Sequence, residues 1–497
     1  MTEKQTSYRQ IMKATSIFGG VQVFNIIIAV IRSKFIAVLL GPAGMGIIGL
    51  LTSATGLIAN LTNFGLGTSA VKEIAAANST GDQKRIEIVV SVVRKMVWIT
   101  GLIGFLVVGI LSPWLSVIAF GDKSYTLAFI WISITLLFNQ LSSGQLVVLQ
   151  GLRKLNYLAK ANLSGSFMGL LITVPIYYFL GIDGIVPGII STSLISLGMS
   201  WYFSGKVKFD RPVLTYTKTF AESRNMLKMG LMISLNGILV IGASYLIRIF
   251  VSRTGGIEQV GLYNSGFTII NTYVSLIFNA MATDYFPRLS AVSDDLNLYR
   301  QTINQQAEIA LLILAPILLV FLVFINWVII LLYSQRFIAV NEMIQWAAMG
   351  MFFKTIGWSI SFVFLAKGTT KLFFWNELIA TVYILGFNIL GYHYWGLEGL
   401  GLSFAVAYLI YSVQVFIVSN VKFNFRFDKS LIFIFAIQFS LAFVGFLMVK
   451  YFEKDLAYYI TGIILFILSG LFSVVQLNKK VGLTSFFKQY LIKNKIS

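Results

Sequence analysis

The sequence predicts an all-α polytopic membrane protein of about fourteen transmembrane helices, arranged as two six-helix lobes followed by two extra helices. Three observations lead there. Hydrophobic residues make up 57% of the 497 and charged residues only 11%, whereas a soluble domain carries about 25% charged residues. Long apolar runs recur along the chain at lengths that match a bilayer crossing. The basic residues then collect on alternate connections between those runs.

A helix needs roughly 20 mostly apolar residues to cross about 30 Å of hydrocarbon, and a span in lipid must satisfy its backbone polar groups internally. Runs of this kind fall near 14–40, 44–71, 88–112, 125–150, 157–179, 184–204, 226–252, 258–286, 303–332, 341–366, 372–394, 397–420, 430–450 and 457–477. The joins near 40–44 and 179–184 are very short and rich in glycine. The polar start, MTEKQTSYRQIMKATS, leads straight into the first run without a small-residue cleavage site, so the first helix is expected to stay.

Charge tests this count, because Lys and Arg accumulate on the cytoplasmic side. With the N-terminus inside and strict alternation, the cytoplasmic segments hold 26 basic residues. The opposite side holds five: Lys123, Arg253, Arg336, Lys450 and Lys454. One missed helix would invert every later loop and destroy the separation. Both termini are therefore expected in the cytoplasm. The net charge of +19 becomes a topology signal and a contact with anionic membrane lipids, and nucleic-acid binding is not predicted.

The chain also repeats itself. Gly41 and Gly46 in LGPAGMGIIGL match Gly256 and Gly261 in TGGIEQVGLYN at an offset of 215, and Thr68 matches Thr283 at the same offset. Gly181, Asp183 and Gly184 in FLGIDGI match Gly396, Glu398 and Gly399 in YWGLEGL, again 215 residues on. The expected organisation is an N-terminal six-helix lobe over 1–204, a cytoplasmic linker over 205–225, a second six-helix lobe over 226–420, and two extra helices with a basic tail over 421–497. Two such copies relate by an axis along the membrane normal and leave a cavity between them. The glycines themselves are read mainly as tight-turn residues.

Little of the chain suits covalent or metal chemistry. There is no Cys and one His, His393. No phosphate-binding Gly-rich loop, HExxH or GxSxG motif occurs, so no cofactor or metal is predicted, and neither is ATP-driven transport by this chain alone. His393 sits beside Tyr392, Tyr394 and Trp395, the composition of an interfacial aromatic belt.

Seven cations lie inside the spans: Arg32, Lys34, Arg94, Lys95, Lys160, Arg248 and Lys354. An ionisable group there costs a few kcal/mol or more and usually faces protein or water. Arg94, Lys95 and Lys160 are near cytoplasmic ends and can snorkel. Arg32, Lys34, Arg248 and Lys354 are the candidate substrate-binding residues. Arg32 and Arg248 occupy equivalent places in the two copies to within one residue. Two such cations would face one cavity and suit an anionic ligand, since guanidinium pairs well with phosphate; the alternatives are ion pairs with neighbouring acids, or snorkelling to the outer side. The acids within spans are Asp284, Glu308 and Glu377. They are read as ordinary carboxylates near cytoplasmic ends, as partners for the cations, or as carriers of a coupling ion.

Some of these residues also carry a family resemblance. LGPAGMGIIGL after a basic first helix resembles the signature of polysaccharide flippases in the multidrug/oligosaccharidyl-lipid/polysaccharide exporter superfamily. The stretch LLYSQRFIAVNEMIQWAAMGMFFKTIGWSISFVFLAKGTTKLFFWNE, residues 331–377, is similar to the corresponding region of Wzx-type O-antigen and enterobacterial-common-antigen flippases. With the GIDG and GLEG turns, the resemblance spans about residues 10–420. It implies alternating access between two lobes and movement of an undecaprenyl-pyrophosphate-linked oligosaccharide from the inner to the outer leaflet. The pyrophosphate would meet Arg32, Lys34 and Arg248, an ion gradient would drive the cycle, and other polysaccharide assembly proteins are possible partners. The two extra helices depart from the simplest members and occur also in lipid II flippases of that superfamily. A cation-coupled multidrug exporter is the alternative, but it should carry acids in the first lobe, where the middles of the spans have none. A membrane polymerase or ligase would need large outer loops, and every outer loop here is short.

Overall fold

The computed structural model describes residues 24–481 apart from 208–211, 213–214, 275 and 293. Every regular element among them is helical. Helix α1 covers 24–39. It is followed by α2 (Gly41–Thr62), α3 (Leu66–Thr80), α4 (Gln83–Phe120), α5 (Thr126–Gly151), α6 (Leu155–Leu180), α7 (Ile185–Gly205) and α8 (Tyr216–Gly255). Then come α9 (Ile257–Phe267), a π-helical stretch (Thr268–Val274), α10 (Leu276–Ala291), α11 (Leu296–Leu332), α12 (Asn341–Ala366), α13 (Thr370–Phe423), α14 (Lys429–Tyr451) and α15 (Leu456–Val481). Among the described residues, ten helical stretches are long and apolar enough to cross a membrane. Large apolar side chains stand exposed along them, Ile110 at 75% and Leu331 at 75%, as lipid contact requires.

Three expected spans take a different form. The run 44–71 breaks after α2, where Asn63 Oδ1 accepts the Gly65 N–H at 2.8 Å and both Phe64 and Gly65 take positive φ. That side-chain turn competes with the helix locally, whereas hydropathy continues through it. The run 88–112 is the middle of the 38-residue α4, which starts at an Asp82 cap bonded to the N–H groups of Lys84 and Arg85 at 3.0 and 3.2 Å. The run 258–286 divides into α9, the π-helical stretch and α10. Residues 14–23 of the first run lie outside the described residues.

The repeated glycines share a backbone. Gly181 has φ 55° and ψ −130°, and Gly396 has φ 57° and ψ −136°, a region closed to L side chains. The first separates α6 from α7 and the second divides the 54-residue α13 in two. Gly184 packs on the carbonyl of Ile176, and Gly399 on the carbonyl of Gly391, its partner at the same offset. The other motif is reciprocal: Gly46 packs on the carbonyl of Ile257 while Gly261 packs on the carbonyl of Pro42.

The chain divides into two compact units. The first takes the residues up to Gly261 with Leu332–Ser334; the second takes Leu262–Leu331 and the residues from Gln335 on. In the first unit α4 packs on α5, α5 and α6 on α7, and α8 on α2, α3 and α4. A core of Leu66, Ala70, Ile74, Val93, Met96 and Val148 lies among them. The duplication counts α8 with the second copy, yet both its ends are fastened to α4. Arg85 pairs with Glu222 at 2.7 Å, Ser252 donates to the Ala119 carbonyl at 2.9 Å, and Arg253 donates to the carbonyls of Val117 and Ile118. The bonds to Ala119 and Ile118 satisfy carbonyls in the last turn of α4, where helical donors run out, while the Val117 carbonyl also accepts the Gly121 N–H at 3.1 Å.

In the second unit α12 packs on α13 and α14, and α14 on α15. The two extra helices are held by polar bonds, which serve as glue between helices in lipid. Gln438 bonds Ser469 and Ser473 between α14 and α15. Lys450 and Trp346 share the Glu398 carboxylate at 3.0 and 2.9 Å, and Tyr458 donates to the Val323 carbonyl at 2.8 Å. Lys480 meets Glu308 at 2.6 Å, with the glutamate side chain only 4% exposed. Replacing Lys480 by Met is expected to destabilise this unit by about 3 kcal/mol, because it strands a buried carboxylate. Adding Glu308→Gln should recover most of that loss. Thermal melting of the detergent-solubilised protein checks both, and an unchanged single variant would show that the pair contributes nothing.

Candidate functional site

The cations read from the sequence are placed by helices in both units. In the first unit Arg32, on α1, reaches α6: its Nη2 donates to the Ser166 carbonyl at 3.2 Å. The guanidinium lies against Gly169, where a side chain would crowd it, with Thr192 of α7 alongside. Its Nε is buried and has no hydrogen-bond partner among the described residues. An arginine so placed is anchored at one edge of its fork and keeps a donor unused. Lys34 follows on the same helix and is half-buried. Arg248, on α8, bonds Ser244 one turn earlier, at 2.9 Å to the carbonyl and 2.5 Å to the hydroxyl. The strict repeat counterpart of Arg32 is Ile247, which is buried. The one-residue shift turns Arg248 onto the neighbouring side of its helix, since each residue advances the helix by about 100°.

The second unit brings two of the sequence candidates into one cluster. Lys354, on α12, donates to Asn271 Oδ1 at 2.8 Å, and its ammonium stands 5.1 Å from the Tyr408 ring centre and 5.6 Å from that of Phe404. It forms no ion pair among the described residues. Aromatic faces and one amide oxygen thus share its charge. Tyr408 is followed one turn later on α13 by Tyr411, with ring centres 6.1 Å apart. The Tyr411 hydroxyl donates to Glu377 Oε1 at 2.7 Å. Beside it, Gln414 donates to Asn376 Oδ1 at 2.7 Å. A cation and a carboxylate are therefore joined through two tyrosines.

The remaining acids sit apart from this cluster. Glu308 is committed to Lys480, a partner beyond the spans that hold the other cations. Asp284 belongs to α10, and its side chain lies outside the described residues. His393 is exposed and edge-on to Tyr394 at 5.1 Å; with Trp395 at 59% exposure, the belt composition is also its local environment.

Sequence reading passed over Asn271, Asn376, Tyr408, Tyr411 and Gln414. Polar residues inside the span 397–420 and the Asn376–Glu377 pair were a usable signal, because polar side chains in lipid seek partners. Asn271 had none: it lies in the π-helical stretch, a form that recurs at functional sites but leaves no local sequence mark here.

A sequence profile described as polysaccharide biosynthesis protein matches residues 35–342. No curated protein matches this sequence. Among solved structures, the chain is similar to a lipid II flippase, MurJ, in an inward closed conformation, with TM-score 0.71, 14% identity, and coverage of 93% of this chain and 99% of that one. It is similar to an inward-facing multidrug resistance MATE family transporter of the MOP superfamily, with TM-score 0.64, 19% identity, and coverage of 80% and 94%. A MOP superfamily transporter from Pyrococcus furiosus, described as having a binding pocket of reverse polarity, aligns with TM-score 0.57 and 18% identity over 83% of this chain and 94% of that one. At these identities the likeness is one of fold.

Proposed function

The chain belongs to the polysaccharide biosynthesis protein family, and we propose that it is a flippase moving an undecaprenyl-pyrophosphate-linked oligosaccharide of the O-antigen type from the inner to the outer leaflet of the bacterial cytoplasmic membrane. The observation that carries this reading is the sign of the charge inside the spans. Arg32, Lys34, Arg248 and Lys354 lie on membrane helices, while the middles of the first six spans hold no acid. An anionic headgroup supplies the missing charge, and a cationic drug would be repelled. The orphaned Nε of Arg32 is a donor that a phosphate oxygen can take up.

The reading of fourteen spans is supported by the length of two helical stretches. Leu155–Gly205 and Thr370–Phe423 are 51 and 54 residues long, each enough for two crossings of about 20 residues and each interrupted at its repeat glycine. On this topology the substrate enters from the inner leaflet and leaves outward. For release to occur, the cations must hold the headgroup less tightly in the outward state. Glu377, joined to Tyr411, is the acid best placed to carry a coupling ion.

Deletion of the gene tests the reading. Undecaprenyl-pyrophosphate bearing a complete oligosaccharide is expected to accumulate, and mass spectrometry of extracted lipids identifies its sugars. Normal lipid-linked glycan levels in the deletion strain, together with raised sensitivity to cationic drugs, would reject it in favour of drug export.

A further inference from the structure

The first unit holds a pocket whose lining does not include Arg32. It has a volume of about 320 Å³ and lies between α4, α5 and α7, lined by Arg94, Trp98, Gln145, Trp201 and Gly205 with two aliphatic side chains. We propose that this pocket binds the headgroup of an anionic phospholipid of the surrounding membrane, with the lipid phosphate on Arg94.

Four features point to that ligand. The pocket lies at the basic end of the unit: α4 begins there with Lys84 and Arg85, the turn after α5 carries Arg153 and Lys154, and Lys206 follows α7. No acid lines it. Its depth suits a headgroup. Trp201 is four residues from the end of α7 and Gln145 six from the end of α5, so at 1.5 Å per residue they sit about 6 and 9 Å inside the helix ends, where headgroups meet acyl chains. Its walls are amphipathic: Trp98 and Trp201 are 45% and 50% exposed, and indoles settle at that level of a bilayer.

The rim is built in the same sense. Gln145 accepts the Ser204 hydroxyl at 2.9 Å, which ties α5 to α7 beneath the pocket. Next to Gly205, Lys206 is held over the rings of Tyr202 and Phe203 at 4.5 and 5.5 Å. One guanidinium inside and one ammonium at the rim match a phosphodiester, whose acyl chains would then run along the exposed apolar faces of α4 and α7. Basic pockets between transmembrane helices on the cytoplasmic side recognise anionic lipids in this way.

The full-length protein, delipidated and titrated with dioleoyl phosphatidylglycerol or dioleoyl phosphatidylcholine, tests the proposal by native mass spectrometry. The first phosphatidylglycerol is expected to bind on the order of tenfold more tightly than phosphatidylcholine. Arg94→Gln should remove most of that preference and Arg94→Lys only part of it, with phosphatidylcholine binding and melting temperature unchanged as controls on folding. The Arg32→Gln/Arg248→Gln variant should keep the preference, which separates this pocket from the proposed substrate site. Equal binding of the two lipids, or a wild-type preference in Arg94→Gln, would overturn the proposal. Displacement of phosphatidylglycerol by millimolar inorganic phosphate would also overturn it, since the pocket would then take a free anion rather than a lipid.

Discussion

The Arg32→Gln/Arg248→Gln variant is expected to insert at wild-type levels and to lose transport. Each arginine is costly in a span, by a few kcal/mol or more, so its removal should leave stability unchanged or raised. What is lost is pairing with the substrate's phosphate. About 3 kcal/mol of lost charge-assisted hydrogen bonding corresponds to roughly a hundredfold weaker binding. The two residues should differ when replaced by lysine. Arg32 needs two arms of its planar fork, one already on the Ser166 carbonyl and the Nε, without a partner among the described residues, left for the phosphate, and an ammonium cannot reproduce both. Arg248 leans on Ser244 of its own helix, so Arg248→Lys should retain more activity than Arg32→Lys. Complementation of a flippase-deleted strain, scored against membrane protein levels by immunoblot, provides the measurement. Full complementation by the double glutamine variant would rule out a cationic site at these two positions.

Gly46→Ala and Gly261→Ala should be among the most destabilising single-methyl additions in the first unit, each by about 3 kcal/mol, at the upper end for overpacking. In each case the new Cβ meets a backbone carbonyl, that of Ile257 or Pro42, and a backbone group cannot rotate away as a side-chain tip can. Gly56→Ala on the same α2 is the internal control. Nothing lies within 4 Å of a Cβ there, and alanine favours the helix by up to about 1 kcal/mol. The double Gly46→Ala/Gly261→Ala variant should cost less than the sum of the two, because a single displacement of α2 from α9 relieves both overlaps. Melting temperatures of the solubilised protein decide this. Equal changes in Gly46→Ala and Gly56→Ala would mean that close approach to the carbonyl does not set the effect.

Much of the fold was legible because its causes are local. Lipid exposure demands long apolar runs and internally satisfied backbone, so spans announce themselves. A Gly-only backbone region leaves its residue in the sequence, and Gly181 and Gly396 therefore mark both a helix break and a repeat in the sequence alone. The break at Asn63–Gly65 was equally local but was masked by apolar neighbours, since hydropathy averages over a window that a three-residue turn does not disturb.

The sequence by itself determined the membrane class, the helical architecture, the offset of 215 residues and the presence of cations where they are costly. Only the tertiary structure decided which of those charges are spoken for. Glu308, read as an ordinary carboxylate, a partner for a cation or a carrier of a coupling ion, pairs with Lys480, 172 residues away. Lys354 acquired Asn271 and Tyr408 as partners, and Glu377 acquired Tyr411, through helices packed side by side rather than through neighbours in the chain. The seventh span, counted with the second copy by its sequence, was claimed by α4 through bonds at both its ends. The reason is physical. Transfer from water to lipid is a sum over residues and can be read in order along a chain. The state of a buried charge depends on which polar group the packing brings within about 3 Å, and no local property of either residue contains that information.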